Sequence, residues 1–147
     1  MKNVLFTAIA AVMIMAAGSA FGEEIEIKML NGGATGKMIF EPDFVKINAG
    51  DTITFVPTDK GHNAETIKGM IPPGASPFKS KINAEFSMEF NENGVYGIRC
   101  APHYGMGMVA LIVVGAPDNV EEAEAVKVPP KAQEIFAELF AQLEAAQ

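Results

Sequence analysis

The sequence predicts an all-β fold, an antiparallel β-sandwich of seven or eight short strands that is followed by a helical tail. Three observations support this fold class. Short stretches with a two-residue apolar period recur between residues 23 and 100, separated by Gly, Pro and Asn turns. Residues 109–114 form an unbroken apolar run, which is typical of a strand buried in a sandwich. After residue 118 the apolar period lengthens to three and four residues, as in a helix.

The first four strand candidates lie between residues 24 and 56. Apolar residues at 25, 27 and 29 alternate with charged residues, which indicates a strand with one solvated face. A turn at 31–33 leads to extended stretches at 38–40 and 44–47, which Pro42 separates. After a turn at 49–51, residues 52–56 form a strand in which Ile53 and Phe55 are expected to point inward.

The remaining strands lie between residues 86 and 114. Apolar residues at 86, 88 and 90 alternate with polar ones, a turn occupies 91–94, and residues 95–99 run directly into Cys100. The proline-rich stretch 68–79 is predicted to be an irregular loop.

The tail, residues 118–147, predicts two short helices. Asp118 is expected to cap a helix over residues 119–126, and Pro130 suits the first turn of a second helix. Apolar residues at 135, 136, 139, 140 and 143 form one stripe, so this helix is expected to pack on the sandwich.

Residues 1–22 have the three-part pattern of a secretory signal peptide. A short basic start precedes an apolar run over residues 4–17, and small residues follow. We predict cleavage before Glu23, which leaves a single exported domain over residues 23–147. An uncleaved N-terminal helix is the alternative, but polar, strand-like sequence begins at Glu23.

The charge of the chain is unevenly distributed. Without residues 1–22 it has 10 basic and 18 acidic residues, a net charge of −8. Residues 57–81 are net positive and residues 118–147 net negative, an asymmetry that can orient an approaching partner. No basic excess indicates nucleic-acid binding.

The stretch 100–108, with the sequence CAPHYGMGM, contains the one cysteine and one of the two histidines. Two imidazoles, a thiolate and a weakly bound thioether are the donors of blue-copper electron-transfer sites. Cys100 and His103 lie in a loop between strands, and His62 follows the strand at 52–56. A lone thiol in an exported chain is exposed to oxidation unless a metal holds it. We therefore predict a copper site, in preference to a small buried cysteine beside ordinary histidines.

The methionine ligand is Met106 or Met108. The strand pattern favours Met108, which lies where the apolar strand begins, whereas Met106 lies between two loop glycines.

These residues resemble the pseudoazurin family of bacterial periplasmic cupredoxins. The similarity runs from about Glu23 to the C-terminus and includes CAPHYGMGM, His62-Asn63, TDKG at 58–61 and KGMIP at 68–72. It implies a Greek-key sandwich, one copper ion that cycles between Cu(II) and Cu(I), and the ligands His62, Cys100, His103 and Met108. It also implies a monomeric electron carrier, not an enzyme. A cytochrome or a quinol-oxidising complex would reduce it, and a denitrification enzyme such as nitrite reductase would accept its electrons.

Two neighbours of the ligands are expected to tune the site. The backbone N–H of Asn63 is placed to donate to the Cys100 thiolate. Pro102 has no N–H and so withholds a further donor from that sulfur. Ala101 stands where relatives often carry threonine, which puts a side-chain hydrogen bond from Asn63 to that position in doubt. Gly32 stands where relatives often carry a lysine, so the ring of lysines expected around the copper site is weaker in this chain.

The outer edge of His103 is the expected exit for the electron. Around it we expect an apolar patch edged by lysines, although lysines that only solubilise the loops are an equal alternative. The apolar candidates are Met38, Pro57, Met70, Pro102 and Met106, and the basic ones are Lys37, Lys60, Lys68, Lys79 and Lys81.

Three other functions remain open on the residues alone. A Cys/His hydrolase needs a polar orienting group and an oxyanion motif, and no such motif accompanies Cys100. Zinc suits two histidines and a thiolate, but methionine as a fourth ligand favours copper. A periplasmic copper-binding or chaperone protein would expose its ligands, whereas here they adjoin predicted strands.

Overall fold

The computed structural model describes residues 21–147, so nearly all of the predicted signal peptide lies outside the described residues. Eight strands are followed by two helices, which confirms the predicted fold class. The strands are β1 Glu24–Gly33, β2 Gly36–Glu41, β3 Phe44–Ile47, β4 Asp51–Val56, β5 Glu65–Thr66, β6 Phe86–Phe90, β7 Gly94–Arg99 and β8 Val109–Val114. The helices are α1 Val120–Glu124 and α2 Pro130–Ala145.

The strands form two four-stranded sheets, one in the order β2-β1-β4-β6 and the other β3-β8-β7-β5. The sequence predicted antiparallel pairing throughout, but two pairs differ: β1 runs parallel to β4, and β3 runs parallel to β8. In each parallel pair the chain crosses over before it returns to the sheet. Alternation within a strand shows which face is buried but carries no information about the direction of its neighbour.

Strand β8 is buried on both faces, and this explains its unbroken apolar run. Residues 108, 110, 112 and 114 face the space between the sheets, together with Cys100. Residues 109, 111 and 113 face α2 and pack in a second cluster with Phe136 and Leu139. The predicted packing of the tail helix on the sandwich is therefore confirmed.

The start of α1 differs from the prediction. Asn119, not Asp118, precedes the helix, and its side chain makes no capping bond. Instead Asn119 Oδ1 accepts the N–H of Val95 at 2.8 Å, and Nδ2 donates to the Val95 carbonyl at 3.0 Å. Asn119 thus joins the tail to the start of β7.

The predicted apolar patch required Met70 to lie on the surface, but Met70 is buried. It is 1% exposed and packs in the cluster beneath the helices. A Cβ at Gly97 would come within 2.7 Å of Met70 Cε, so the absence of a side chain on β7 makes room for this methionine.

Candidate metal centre

Three potential metal ligands converge at one end of the sandwich. His62 Nδ1 and His103 Nδ1 are 3.1 Å apart, and Cys100 Sγ lies 3.7 Å from the first and 3.6 Å from the second. The point equidistant from these three atoms lies about 2.0 Å from each, close to metal–nitrogen bonds of about 2.0–2.1 Å and metal–sulfur bonds of about 2.3 Å. The donor set and its dimensions therefore fit a first-row transition metal.

His62 is held in the orientation that such a site requires. Its Nε2 lies 2.8 Å from Asn31 Oδ1, and a carbonyl oxygen only accepts, so Nε2 carries the proton and Nδ1 presents a lone pair. His62 is fully buried, and its carbonyl accepts the N–H of Asn83 at 2.9 Å. Asn31 falls in a predicted turn, and nothing in the sequence shows that the end of β1 lies beside His62.

Burial sets the protonation of two of these groups. Desolvation lowers the pKa of His62, and the nearby His103 ring lowers it further, so the neutral imidazole is favoured. Desolvation also raises the pKa of the Cys100 thiol, while the backbone N–H groups of Asn63 and His103 oppose this rise. The raised pKa favours the thiol, and a bound cation would convert it to the thiolate.

Cys100 and His103 belong to a short, tight loop. After β7 the chain makes 3₁₀ turns over Ala101–Met106 and returns through Gly107. The His103 N–H donates to the Cys100 carbonyl at 3.2 Å, and the Met108 N–H donates to the His103 carbonyl at 3.2 Å. The Cys100 N–H donates in turn to the Met108 carbonyl at 3.0 Å. The backbone thus ties all three residues together.

The two candidate methionines have contrasting environments. Met108 is fully buried in the same cluster as Cys100, whereas Met106 is 53% exposed. This difference supports the preference for Met108.

Asn63 joins the two parts of the site. Its side-chain Oδ1 accepts the backbone N–H of Ala101 at 2.8 Å, so the link needs no hydroxyl at position 101. The expected backbone donation to the Cys100 sulfur agrees with the lowering effect of the Asn63 N–H on the thiol pKa. Pro102 is exposed and follows directly.

The predicted docking residues are only partly gathered near the site. The five lysines are all exposed. Lys79 and Lys81 line a hollow with Ala101 and Pro102, and Lys37 lines another with Met106. Lys68 lies farther away, since the preceding residue bonds to Gly97 in the middle of β7. Met38 is half-buried against the core between the sheets.

One apolar residue at this end of the molecule was missed. Ile82 is 47% exposed and lines the hollow beside Pro102. Its position in an irregular segment gives no periodic signal. The next residue, Asn83, forms hydrogen bonds with Gly61 and His62 in the folded chain, and these hold Ile82 near the site.

The family model of copper-binding proteins of the plastocyanin/azurin family matches residues 27–115. Pseudoazurin from Paracoccus pantotrophus is 49% identical over 128 residues, which cover 86% of this chain and 88% of that protein. The chain belongs to the pseudoazurin family.

Solved pseudoazurin structures agree with this assignment. The structure from Methylobacterium extorquens AM1 has a TM-score of 0.80 and 51% identity, covering 82% of this chain and 99% of that one. The structure from Hyphomicrobium denitrificans has a TM-score of 0.77 and 41% identity, covering 81% and 97%. Pseudoazurins are electron-transfer cupredoxins and not enzymes, and their cofactor is one copper ion. The His-Cys-His cluster fits that ion, so the predicted cofactor is confirmed.

Proposed function

We propose that this protein is a diffusible periplasmic carrier of single electrons in which His62, Cys100, His103 and Met108 hold one copper ion. The observation that carries the proposal is the triangle of two Nδ1 atoms and one Sγ, with edges of 3.1, 3.6 and 3.7 Å. Bound copper supplies a Cu(II)/Cu(I) couple that takes up and releases one electron.

The chain supports this role by holding the donors rigidly. His62 and Cys100 are 0% exposed and come from separate parts of the fold. Asn31 fixes the ring of His62, and Asn63 fixes the start of the loop after Cys100. A donor set that cannot rearrange suits electron transfer, because Cu(I) and Cu(II) prefer different geometries.

His103 is the proposed exit for the electron because it is the one ring of the pair that is partly exposed. Pro102, Met106 and Ile82 provide apolar surface at this end, and Lys79 and Lys81 provide positive charge. An acidic redox partner fits this surface, since charge steers a transient complex and the apolar contact holds it briefly. We propose nitrite reductase as the acceptor and a cytochrome or quinol-oxidising complex as the donor, with the carrier acting as a monomer.

Export rests on the pattern of residues 1–22, with cleavage before Glu23 and one mature domain over 23–147. Within residues 21–147, neither helix is both long and apolar enough to cross a bilayer. Mass spectrometry of protein from a periplasmic extract should show a chain that begins at Glu23, and a full-length chain retained in the cell would contradict export.

A copper-binding or chaperone protein is the second candidate function. Such a protein passes its ion to a partner and therefore needs ligands that the partner can reach. The complete burial of His62, Cys100 and Met108 favours the electron carrier.

The visible spectrum of the purified protein with one equivalent of Cu(II) tests the site. An intense thiolate-to-copper band at about 600 nm is expected, as in blue-copper proteins. Cys100→Ser should abolish the band and Met108→Leu should shift it, while the matched change Met106→Leu should leave it unchanged. A colourless oxidised protein that holds zinc would reject the proposal, and a shift with Met106→Leu alone would reject the choice of methionine.

A further inference from the structure

A buried carboxylate lies beside the Cys100–Met108 loop. Glu65 is 4% exposed and lies in β5, where it pairs with Arg99 at the end of β7. An ionised side chain persists at such a buried position only when its oxygens are fully partnered.

The two oxygens of Glu65 serve different partners. Oε1 accepts from Arg99 Nε at 2.7 Å and lies 2.6 Å from Arg99 Nη2. Oε2 accepts from Asn63 Nδ2 at 3.1 Å and lies 3.8 Å from Lys79 Nζ. Both ends of the side chain must therefore be acceptors.

Through Asn63 this arrangement reaches the residue that follows Cys100. Asn63 Nδ2 donates to Glu65 and to the Ser80 carbonyl, and Oδ1 accepts the Ala101 N–H at 2.8 Å. If the amide of Asn63 rotated by half a turn, its NH₂ group would face the Ala101 N–H, donor against donor. The acceptor at Glu65 Oε2, together with the Ser80 carbonyl, thus fixes which way the Asn63 amide points.

Through Arg99 the same carboxylate reaches the residue that follows His103. The Arg99 guanidinium lies 4.9 Å from the centroid of the Tyr104 ring, within cation–π range. Tyr104 also packs against the cluster beneath the helices. One side chain in β5 is therefore connected to both Ala101 and Tyr104, each next to a proposed ligand.

We propose that Glu65 is a positioning residue for the metal loop: its ionised carboxylate orients the Asn63 amide and the Arg99 guanidinium, and these hold Ala101 and Tyr104. The inference rests on the proposed function only in that this loop carries the copper ligands.

Glu65→Gln tests the proposal, because glutamine has nearly the same shape but only one acceptor end. If that end faces Arg99, its NH₂ group faces Asn63 Nδ2, donor against donor. The Asn63 NH₂ group then keeps only the Ser80 carbonyl as an acceptor, and the hold of Asn63 on the Ala101 N–H is weakened. Amide hydrogen exchange of Ala101 in the metal-free protein should accelerate by about tenfold, as expected when a partly buried hydrogen bond is lost. The copper-loaded variant should show a shifted thiolate band. Glu89→Gln removes the same charge from an exposed position on β6 and should change neither measurement.

A second variant distinguishes the relay from a general loss of packing. With Asn63→Asp added to Glu65→Gln, the aspartate can accept from both Ala101 and the new glutamine but leaves the Ser80 carbonyl without its donor, so protection of the Ala101 amide should return in part. Wild-type exchange in Glu65→Gln would overturn the proposal. If the single variant does not fold, failure of the double variant to restore folding and protection would also overturn it. An absent blue band in the wild-type protein would count against the proposed function but would leave the exchange test valid.

Discussion

At the scale of single residues, Asn31 has the clearest effect that the sequence did not reveal. Its Oδ1 accepts the Nε2 proton of His62 and thereby leaves Nδ1 to face Cys100 and His103, where we propose that the metal binds. Asn31→Ala should weaken Cu(II) binding by about 10–100-fold, the usual effect of losing such a partner. Competition with a chelator measures the affinity. Asn31→Asp keeps an acceptor and should bind nearly as the wild type does, and equal affinity in the alanine variant would contradict this role.

Pro102 affects the electronics of the thiolate through what it lacks. Pro102→Ala adds a backbone N–H to a loop in which the N–H groups of Asn63 and His103 already favour the thiolate. A further donor draws charge from the sulfur and favours Cu(I), so the reduction potential should rise. A hydrogen bond to a charged acceptor contributes about 1.5–3 kcal/mol, and a tenfold change for one electron is about 59 mV, so we expect a rise of roughly 65–130 mV. Voltammetry that shows an unchanged or lowered potential would contradict this explanation.

At the scale of elements, periodicity predicted most strands and the long helix because it reports which side of an element is buried. It missed β5, because two residues are too few to show a period. Met70, in a loop without a period, was expected in the apolar patch around His103, because only tertiary packing against Gly97 shows that this methionine is interior. The proposed ligands stand out in the sequence by a rare pattern of residue types. The contacts of Asn31 with His62 and of Glu65 with Arg99 do not, because they join residues 31 and 34 positions apart in the chain.

Helix α2 lies outside the region that the family model matches. It packs against the loop between Cys100 and Met108 at Gly107. Gly107 has φ +85°, and a Cβ there would come within 2.8 Å of Lys131 Cγ. Gly107→Ala should therefore lower the free energy of unfolding by about 1–3 kcal/mol, the usual cost of such strain. Chemical denaturation measures the loss.

Gly105→Ala is the matched control for Gly107→Ala. It makes the same change in the same loop, where a Cβ would meet nothing within 4 Å. Its stability should stay close to that of the wild type. Equal losses in both variants would show that the contact with α2 is not the cause.

At the scale of the whole molecule, charge is separated between the metal end and the tail. Reversal of Lys60 and Lys79 to glutamate should slow electron transfer to an acidic partner by about tenfold at low salt, since steering changes association rates by about 10–1,000-fold. Stopped-flow kinetics over a range of salt measures the effect, and added salt should remove the difference.

The matched control for this reversal is the same change at Lys46 and Lys127. Lys46 pairs with Val113, near the end of β8 that lies away from Met108, and Lys127 lies between the helices. This control should leave the rate nearly unchanged. Rates of the first variant that do not respond to salt would contradict steering.

A carrier of this kind must keep its copper while one electron enters and leaves. The most direct test is repeated reduction and reoxidation of the copper-loaded protein in the presence of a Cu(I) chelator, with the thiolate band and the chelator complex recorded in each cycle. We predict that the band returns in full and that the chelator stays empty, because the ligands are buried and fixed. Transfer of copper to the chelator on reduction would contradict the account and would indicate a copper-delivery protein.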